Sequence, residues 1–239
     1  MNFAILLSGG VGQRINSEIP KQYVKASGHM MISYSLSTLL SSRNIDRVVV
    51  VSDPSYKDAI IDDVSGVSEN TKKLSGWASP GENRQLSILQ GLRVISGIIE
   101  QEGILFKKHT VLVHDAARPF LSCELLDDMY SLLPGYDGVM PVLPMKDTVY
   151  ISNDGESISD LIDRKTVFAG QAPELFDFHK YLQSNEKLMP DGILEVNGAS
   201  EVAVKGGMNI RLIPGDENNI KITTDNDMDF FRAYCNKLH

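Results

Sequence analysis

Short apolar runs alternate along the chain with segments of helical periodicity. Continuous apolar runs occupy positions 4–7, 48–51, 111–113 and 138–142. Because their hydrophobicity is continuous, each run predicts a strand that is buried on both faces. Apolar residues recur at helical spacing between the runs and after them, in residues 31–40, 86–95 and 125–133. The alternation predicts an α/β fold with a doubly wound, mostly parallel sheet that helices cover on both faces.

Residues 143–175 do not follow this alternation of strand and helix patterns. Residues 148–151 are typical of a strand, the turn sequence Asn153-Asp154-Gly155 follows, and residues 166–169 are typical of a further strand. A hairpin that projects from an α/β body has unpaired edges, which a second subunit would cover. The sequence contains no internal repeat, low-complexity tract or linker, so we expect one domain over residues 1–239 with a β-arm at about 143–175. A segment at 219–223 and a helix at 225–237 close the chain.

Composition narrows the class of protein. The net charge is −8 and no long basic run is present, so we expect no nucleic-acid partner. The two cysteines, Cys123 and Cys235, are too few for a zinc site or a disulfide framework. The first apolar segment ends in glycine after Leu7, and no apolar stretch approaches the roughly 20 residues of a membrane span. These features predict a cytoplasmic protein with no membrane partner.

A glycine-rich turn follows the first predicted strand and leads to two cations. Glycine allows backbone amides to approach an anion closely, and such amides form anion-binding nests. The residues concerned are Ser8, Gly9, Gly10 and Gly12, followed by Arg14 and Lys21. One interpretation is a phosphate cradle in which the two cations neutralise a triphosphate. The other is a structural turn with two solvated cations, and this stretch alone leaves both open.

The same turn has a competing interpretation in a different enzyme class. The spacing Gly10-x-Gly12 resembles the start of a dinucleotide fingerprint, but Ile15 stands where the third glycine would be. Asp53 follows the second predicted strand, where such proteins hold the ribose of the dinucleotide. An NAD(P)-dependent reductase is therefore the competing prediction outside the nucleotidyltransferases.

Asp115 stands just beyond the predicted strand 111–113. In open α/β sheets, ligands bind at the carboxyl ends of the strands. A carboxylate there either caps the following loop or holds Mg²⁺, which takes few carboxylates and shares phosphate and water ligands. Together with the glycine turn, Arg14 and Lys21, Asp115 predicts a site for a nucleoside triphosphate and a metal.

Several motifs in a fixed order now resemble one family across nearly the whole chain. The family comprises the cytidylyltransferases of polyol phosphates, with branches specific for 2-C-methyl-D-erythritol 4-phosphate and for D-ribitol 5-phosphate. The matching stretches are Gly9-Gly10-x-Gly12-x-Arg14, Pro20-Lys21-Gln22-Tyr23, Gly81-x-x-Arg84-x-x-Ser87, Val113-His114-Asp115-Ala116-Ala117-Arg118-Pro119, Lys146-Asp147-Thr148, Asp163-Arg164, Gln171-Ala172-Pro173 and Asn219-Ile220-Lys221-Ile222-Thr223.

The resemblance implies an activity and partners. It implies a Rossmann-like nucleotidyltransferase fold and a Mg²⁺-dependent reaction in which CTP and a polyol phosphate give a CDP-polyol and pyrophosphate. We favour 2-C-methyl-D-erythritol 4-phosphate, an isoprenoid precursor of the non-mevalonate pathway. D-Ribitol 5-phosphate, used for cell-surface polymers or capsule, is the alternative. Family analogy further implies a homodimer formed through the β-arm.

The resemblance also implies a role for each matched residue. The catalytic residues would be Arg14, Lys21 and Lys221, and Asp115 would hold the metal. CTP would be bound by Ser8, Gly9, Gly10, Gly12, Gly81, Glu82, Arg84, Ser87 and Ala116. The polyol phosphate would be bound by Arg118, Thr148, Arg164 and Lys221. Two alternatives stay open: that Arg118 instead supports the Asp115 loop, and that Arg84 orients its own loop.

Some positions depart from the family pattern or leave a choice open. The family often has Thr-Asp-Glu/Asp-Ala-Ser where this chain has Val196-Asn197-Gly198-Ala199-Ser200, so the acids are missing. Asp216 and Glu217 both precede the Asn219 motif, and neither can be chosen as a second metal ligand. Trp77 either walls the cytosine pocket or packs in the core, and for His114 we favour a structural role.

Overall fold

The structure is a computed structural model that describes residues 1–10 and 19–237. Two predicted site residues, Gly12 and Arg14, lie outside the described residues.

The described residues form strands, α-helices and short 3₁₀ turns. The strands are β1 (Asn2–Leu7), β2 (Lys25–Ala26), β3 (His29–Met30), β4 (Arg47–Val51), β5 (Leu74–Ala78), β6 (Thr110–Asp115), β7 (Gly138–Pro144), β8 (Val149–Ile151), β9 (Asp160–Ile162), β10 (Phe168–Gly170), β11 (Glu174–Asp177) and β12 (Ile210–Pro214). The helices are α1 (Met31–Ser41), α2 (Lys57–Ser65), α3 (Arg84–Gln101), α4 (Cys123–Leu132), α5 (Phe178–Glu186), α6 (Ala199–Lys205) and α7 (Asp225–Lys237). The 3₁₀ turns are Lys21–Tyr23, Pro54–Tyr56, Thr71–Lys73, Arg164–Thr166 and Gly192–Leu194.

One mixed sheet organises the molecule. Its strands follow the order β10-β7-β11-β6-β1-β4-β5, and β12 pairs with β7. Strands β5, β4, β1, β6, β7 and β12 run in one direction, while β11 and β10 run in the other. The predicted doubly wound, mostly parallel sheet is thus confirmed. Each of the four apolar runs lies inside a strand of this sheet, namely β1, β4, β6 and β7.

Helices cover both faces because successive side chains of a strand point to opposite sides. Along β1, Ala4 and Leu6 pack against α1, α2 and α4, and Phe3 and Ile5 pack against α3, α5 and α6. The valines of β4 alternate in the same way. A smaller cluster joins α7 to the start of α1 through Phe231.

The predicted hairpin is present, with differences at one end. Strands β8 and β9 pair as a separate two-stranded sheet, and Gly155 adopts a positive φ of 78° in the turn between them. The strand predicted at 166–169 begins only at Phe168. Residues 164–166 instead form a 3₁₀ turn, because the Asp163 side chain accepts a hydrogen bond from Lys165 N.

Three strands of the sheet, β5, β11 and β12, were not predicted, and none of them has a continuous apolar run like those of the predicted strands. Strand β5 has the sequence LSGWA, and its Gly76 leaves room for Val94 of α3 to pack on the sheet. Strand β11 is only four residues long and joins β6 to β7 in antiparallel register. All three form because tertiary packing overrides weak local preference.

Gly138 begins β7 where three segments meet. A Cβ built on it would lie 2.6 Å from Leu175 O and 2.8 Å from Ile210 Cδ1, so any side chain would push neighbouring strands apart. We expect Gly138→Ala to lower the free energy of unfolding by about 1–3 kcal/mol. The matched control is Gly97→Ala in α3, where a Cβ would meet no atom within 4 Å, and it should raise stability by about 0.5–1 kcal/mol. Urea unfolding measures both, and equal effects would contradict the strand-crowding argument.

Among residues 1–10 and 19–237, none of the helices has the length and apolar character that crossing a membrane requires.

Candidate active site

The candidate site lies where the sheet changes its winding direction. Strands β1 and β6 are parallel neighbours, and Leu7 pairs in register with Asp115 at their carboxyl ends. The chain continues to β4 and β5 on one side of β1, whereas β6 and β11 lie on the other. A ligand crevice is expected at such a point. An open cavity of about 710 Å³ occupies it, which is a size typical of small-molecule sites.

Most of the residues predicted to bind CTP line this cavity. They are Ser8, Gly9, Gly10, Gly81, Glu82, Arg84, Ser87 and Ala116, and they are joined by Lys21, Asp115 and Lys221. The roles of these residues remain predictions, because their placement shows proximity and not function.

The glycine turn is held from below by the segment that carries Lys21. Gln22 Nε2 donates to Ser8 O at 2.7 Å and to Gly10 O at 2.8 Å, and the Tyr23 hydroxyl donates to Ser8 O at 3.0 Å. Gly9 packs directly on Pro80, so a Cβ at position 9 would collide with that ring. The turn is thereby fixed between the Pro80 loop and the Lys21–Tyr23 turn.

The loop before α3 is stabilised by its own hydrogen bonds. Asn83 caps the helix by accepting from Leu86 N at 2.8 Å. The Ser87 hydroxyl accepts from Gly81 N at 3.0 Å and donates to Asn83 O at 2.9 Å. Gly81 sits against Leu86, which leaves no room for a side chain at position 81. These contacts fix the cavity wall to which Glu82 and Arg84 belong.

An ion network lies at the centre of the site. Arg84 contacts Asp115 Oδ1 through Nη2 at 3.0 Å and through Nε at 3.1 Å, and Lys221 Nζ contacts Asp115 Oδ2 at 2.8 Å. Burial alone would raise the pKa of Asp115, but Arg84 and Lys221 outweigh burial and hold that pKa well below its usual range. Asp115 is therefore an anion at neutral pH, with a cation on each oxygen.

The segment 219–223 brings Lys221 to the site from far along the chain. Ile222 N donates to Ala117 O at 2.8 Å, and Lys21 Nζ donates to Ile222 O at 2.6 Å. The buried Asn219 donates through Nδ2 to Ala172 O at 2.7 Å. Arg118 Nη1 donates to Asn219 O at 2.6 Å. This last contact favours the alternative in which Arg118 supports the loops around Asp115.

The donor set at the cavity suits a magnesium ion that shares its ligands with phosphates. Within the described ranges, no three or more His, Cys, Asp or Glu side chains form a metal cluster. Mg²⁺ is commonly bound through one or two carboxylates plus substrate phosphates and water. The ionised Asp115 lines the same cavity as Gly9, Gly10 and Lys21, and it fits that role.

Other predicted residues do not meet at the cavity. Thr148 and Arg164 lie beside the hairpin, where Arg164 Nη1 donates to Lys146 O at 2.8 Å. Glu217 pairs with Lys146 at 2.7 Å, and Asp216 caps its own turn by accepting from Asn218 N at 2.8 Å. Neither acid is thus placed beside Asp115.

Trp77 and His114, which the sequence analysis also considered, pack within the protein and do not line the described cavity. Trp77 packs against the core cluster below α1 and α2, with Lys57 Nζ at 5.8 Å from its ring centroid, rather than lining the described cavity. His114 is fully buried and contacts Arg118 O through Nε2 at 3.0 Å. Burial lowers the pKa of His114 to about 4, so the ring is neutral at pH 7.

Sequence reasoning missed three residues that shape the site. Gln22 holds the glycine turn, Asn219 anchors the Lys221 segment, and Glu174 lies beside Arg84 with Oε1 at 3.5 Å from Nη2. Gln22 and Asn219 belong to motifs that were recognised, so their position next to the two lysines was an available signal. Nothing in the local sequence around Glu174 points to Arg84.

The fold and the cleft define a nucleotide-binding α/β protein of the nucleotidyltransferase type. A family model described as 2-C-methyl-D-erythritol 4-phosphate cytidylyltransferase (IspD) matches residues 3–237. The chain therefore belongs to this cytidylyltransferase family. Membership decides against the reductase interpretation and confirms the resemblance seen in the motifs.

Individual relatives agree with this assignment. The chain is 30% identical to 2-C-methyl-D-erythritol 4-phosphate cytidylyltransferase of Lachnospira eligens, over 96% of each protein. It is 32% identical to a bifunctional IspD/IspF enzyme of Bartonella bacilliformis over 98% of this chain, and it spans 56% of the length of that relative. It is also 27% identical to ribitol-5-phosphate cytidylyltransferase of Streptococcus agalactiae serotype Ia, over 98% of this chain and 95% of that protein.

Solved structures show the same fold. 4-Diphosphocytidyl-2C-methyl-D-erythritol synthase of Anaerococcus prevotii DSM 20548 superposes with a TM-score of 0.79 at 26% identity, covering 98% of this chain and 96% of that one. The 2-C-methyl-D-erythritol 4-phosphate cytidylyltransferase of Thermus thermophilus superposes with a TM-score of 0.70 at 23% identity, covering 99% and 100% of the two chains.

Proposed function

We propose that this cytidylyltransferase transfers CMP from CTP to 2-C-methyl-D-erythritol 4-phosphate and releases pyrophosphate. The observation that carries the proposal is the family match over residues 3–237, combined with the cavity in which Lys21, Asp115 and Lys221 meet. The acceptor phosphate attacks the α-phosphate of CTP, so the protein contributes positioning and charge stabilisation and little covalent chemistry.

The described residues divide this work between them. The amides of Gly9 and Gly10 face the triphosphate, whereas that of Ser8 is bonded to Val51 O at 2.7 Å. Lys21 balances the charge that grows on the α-phosphate as it becomes five-coordinate. Lys221 leaves Asp115 to bind the incoming acceptor phosphate. Asp115 would hold Mg²⁺, which would supply charge neutralisation of the phosphates.

The acceptor is the finer part of the proposal. Several relatives carry the methylerythritol phosphate name, and ribitol-5-phosphate cytidylyltransferases match at slightly lower identity. A pyrophosphate-release assay with CTP and each polyol phosphate in turn tests the choice. We expect a clear preference in kcat/KM for 2-C-methyl-D-erythritol 4-phosphate. A preference for D-ribitol 5-phosphate would overturn the acceptor while leaving the enzyme class intact.

The proposal includes a homodimer formed through the arm, with Thr148 and Arg164 reaching the acceptor of the second copy. An isolated two-stranded hairpin is marginally stable in water. This hairpin nevertheless exposes Tyr150 and Leu161, paired across β8 and β9, with 56% and 58% of their surface accessible. Exposed apolar side chains on such an element are typical of a contact surface. We also propose a cytoplasmic location, because a chain with two cysteines suits a reducing compartment.

Leu161→Asp is expected to convert the dimer to a monomer, because a charge would be buried in an apolar contact. Light scattering coupled to size exclusion measures the mass directly. Leu212→Asp is the matched control, since Leu212 is a similarly exposed leucine on β12, away from the arm. A dimer that survives Leu161→Asp, or that dissociates with Leu212→Asp, would contradict assembly through the arm.

A further inference from the structure

Glu174 is a buried carboxylate beside the candidate site that belongs to none of the recognised motifs. Only 6% of its surface is accessible, and it is not part of the cavity lining formed by the described residues. It pairs with Val113 across β11 and β6. Asp115 lies two residues beyond Val113, so both carboxylates project from the same face of the sheet.

Arg84 lies between these two carboxylates. It is the first residue of α3, whose start Asn83 caps, so its backbone is fixed. Its Nη2 atom is 3.0 Å from Asp115 Oδ1 and 3.5 Å from Glu174 Oε1. Burial raises the pKa of Glu174, and the Arg84 guanidinium opposes that rise by favouring the ionised carboxylate. A single guanidinium is thus shared by one carboxylate that faces the cavity and one that lies behind it.

The proposed reaction requires Asp115 to exchange its partners. A divalent cation on Asp115 would stand close to the Arg84 guanidinium, which already occupies Oδ1, and the two positive groups would repel each other. Lys221 has a flexible side chain that is 42% exposed and can move away. The Arg84 side chain is only 30% exposed and contacts both Asp115 and Glu174, and a largely desolvated guanidinium deprived of an anion is costly. Glu174 provides the anion with which Arg84 can stay when Asp115 takes another cation.

We propose that Glu174 is a positioning residue that retains Arg84 and thereby frees Asp115 for the divalent cation that accompanies CTP. The inference rests on the proposed function. It assigns Glu174 no contact with substrate.

Glu174→Gln keeps the shape of the side chain and removes its charge. Of these two carboxylates, Arg84 would then keep Asp115 alone as an anionic partner, and it would compete more strongly with the metal for that carboxylate. We expect the Mg²⁺ concentration for half-maximal pyrophosphate release to rise about tenfold. Binding of CTP in EDTA, measured by calorimetry, should be unchanged or up to about threefold tighter, since the site has lost a negative charge. This opposite response of metal-dependent and metal-free binding is the signature of the proposed role.

Two further variants complete the test. Glu174→Asp keeps the negative charge but moves it away from Arg84. It should therefore raise the Mg²⁺ requirement by about threefold. This variant also tests the proposal if Glu174→Gln does not fold. Glu186→Gln removes a carboxylate from an exposed pair with Arg93 at 3.0 Å and should leave both measurements unchanged.

Three results would overturn the inference. If Glu174→Gln weakens CTP binding equally in EDTA and in Mg²⁺, Glu174 is merely structural. If it matches the wild type in both measurements, Arg84 needs no second anion. If the wild type neither binds CTP nor releases pyrophosphate, the proposed function fails first, and this inference falls with it.

Discussion

Lys21→Ala is expected to lower kcat by about 10²–10³-fold while leaving the fold intact. Lys21 lines the cavity at the end of the glycine turn, and its Nζ reaches the segment that carries Lys221. A cation that faces a developing phosphate charge contributes on this scale because the interaction strengthens in the transition state. Steady-state assays of pyrophosphate release at saturating CTP and acceptor measure kcat.

Lys25→Ala serves as the control for this prediction. Lys25 is also a lysine of the N-terminal region, but it pairs with Asp63 at 3.1 Å and does not line the cavity. Its removal should leave kcat within about twofold of the wild type. If Lys21→Ala kept a near-normal rate with an unchanged melting temperature, Lys21 would have no part in stabilising the triphosphate.

Asp115→Asn is expected to cost about 10²–10³-fold in kcat/KM and to abolish most of the effect of Mg²⁺ on CTP binding. The amide matches the carboxylate in shape but not in charge, and metal ligation by a neutral amide is weaker. The change also deprives Arg84 and Lys221 of their shared anion, so the free energy of unfolding should fall as well. Calorimetric titration of CTP with and without Mg²⁺ separates the metal effect from the loss of stability.

A surface carboxylate provides the comparison for Asp115. Asp127 pairs with the exposed Arg43 at 2.7 Å, and Asp127→Asn should change neither the metal effect nor the rate. An Asp115→Asn protein in which Mg²⁺ still strengthened CTP binding as in the wild type would remove Asp115 from the metal site.

Much of the fold was predictable because its central strands are buried on both faces. The continuous runs in β1, β4, β6 and β7 can be satisfied only between two layers of helices. The remaining strands were not predictable for the opposite reason. In β5, Gly76 contributes no side chain, and Val94 of α3 packs in the space that it leaves. Strand β11 takes its direction from its partners β6 and β7. Their conformation depends on neighbours that are distant in sequence.

The residues of the site likewise divide into those that local sequence motifs predict and those that depend on neighbours distant in sequence. Lys21, Asp115 and Lys221 occur in motifs whose order predicts a common location, and the described cavity brings them together. Glu174 could not be predicted, because it meets Arg84 only through the register between β11 and β6. Asp216 and Glu217 precede Lys221 in the sequence, but neither side chain lines the described cavity; Asp216 caps a turn and Glu217 pairs with Lys146.

The contact between Lys21 Nζ and Ile222 O joins residues separated by 201 positions. During synthesis on the ribosome, the glycine turn emerges early, whereas its partner segment emerges after nearly all of the sheet. A nascent chain would therefore have an incomplete nucleotide pocket until the segment around Lys221 leaves the exit tunnel. Premature termination before that point would also remove the buried Ile222 and Phe231 from the cluster at the start of α1, so the remnant would lose stability as well as turnover.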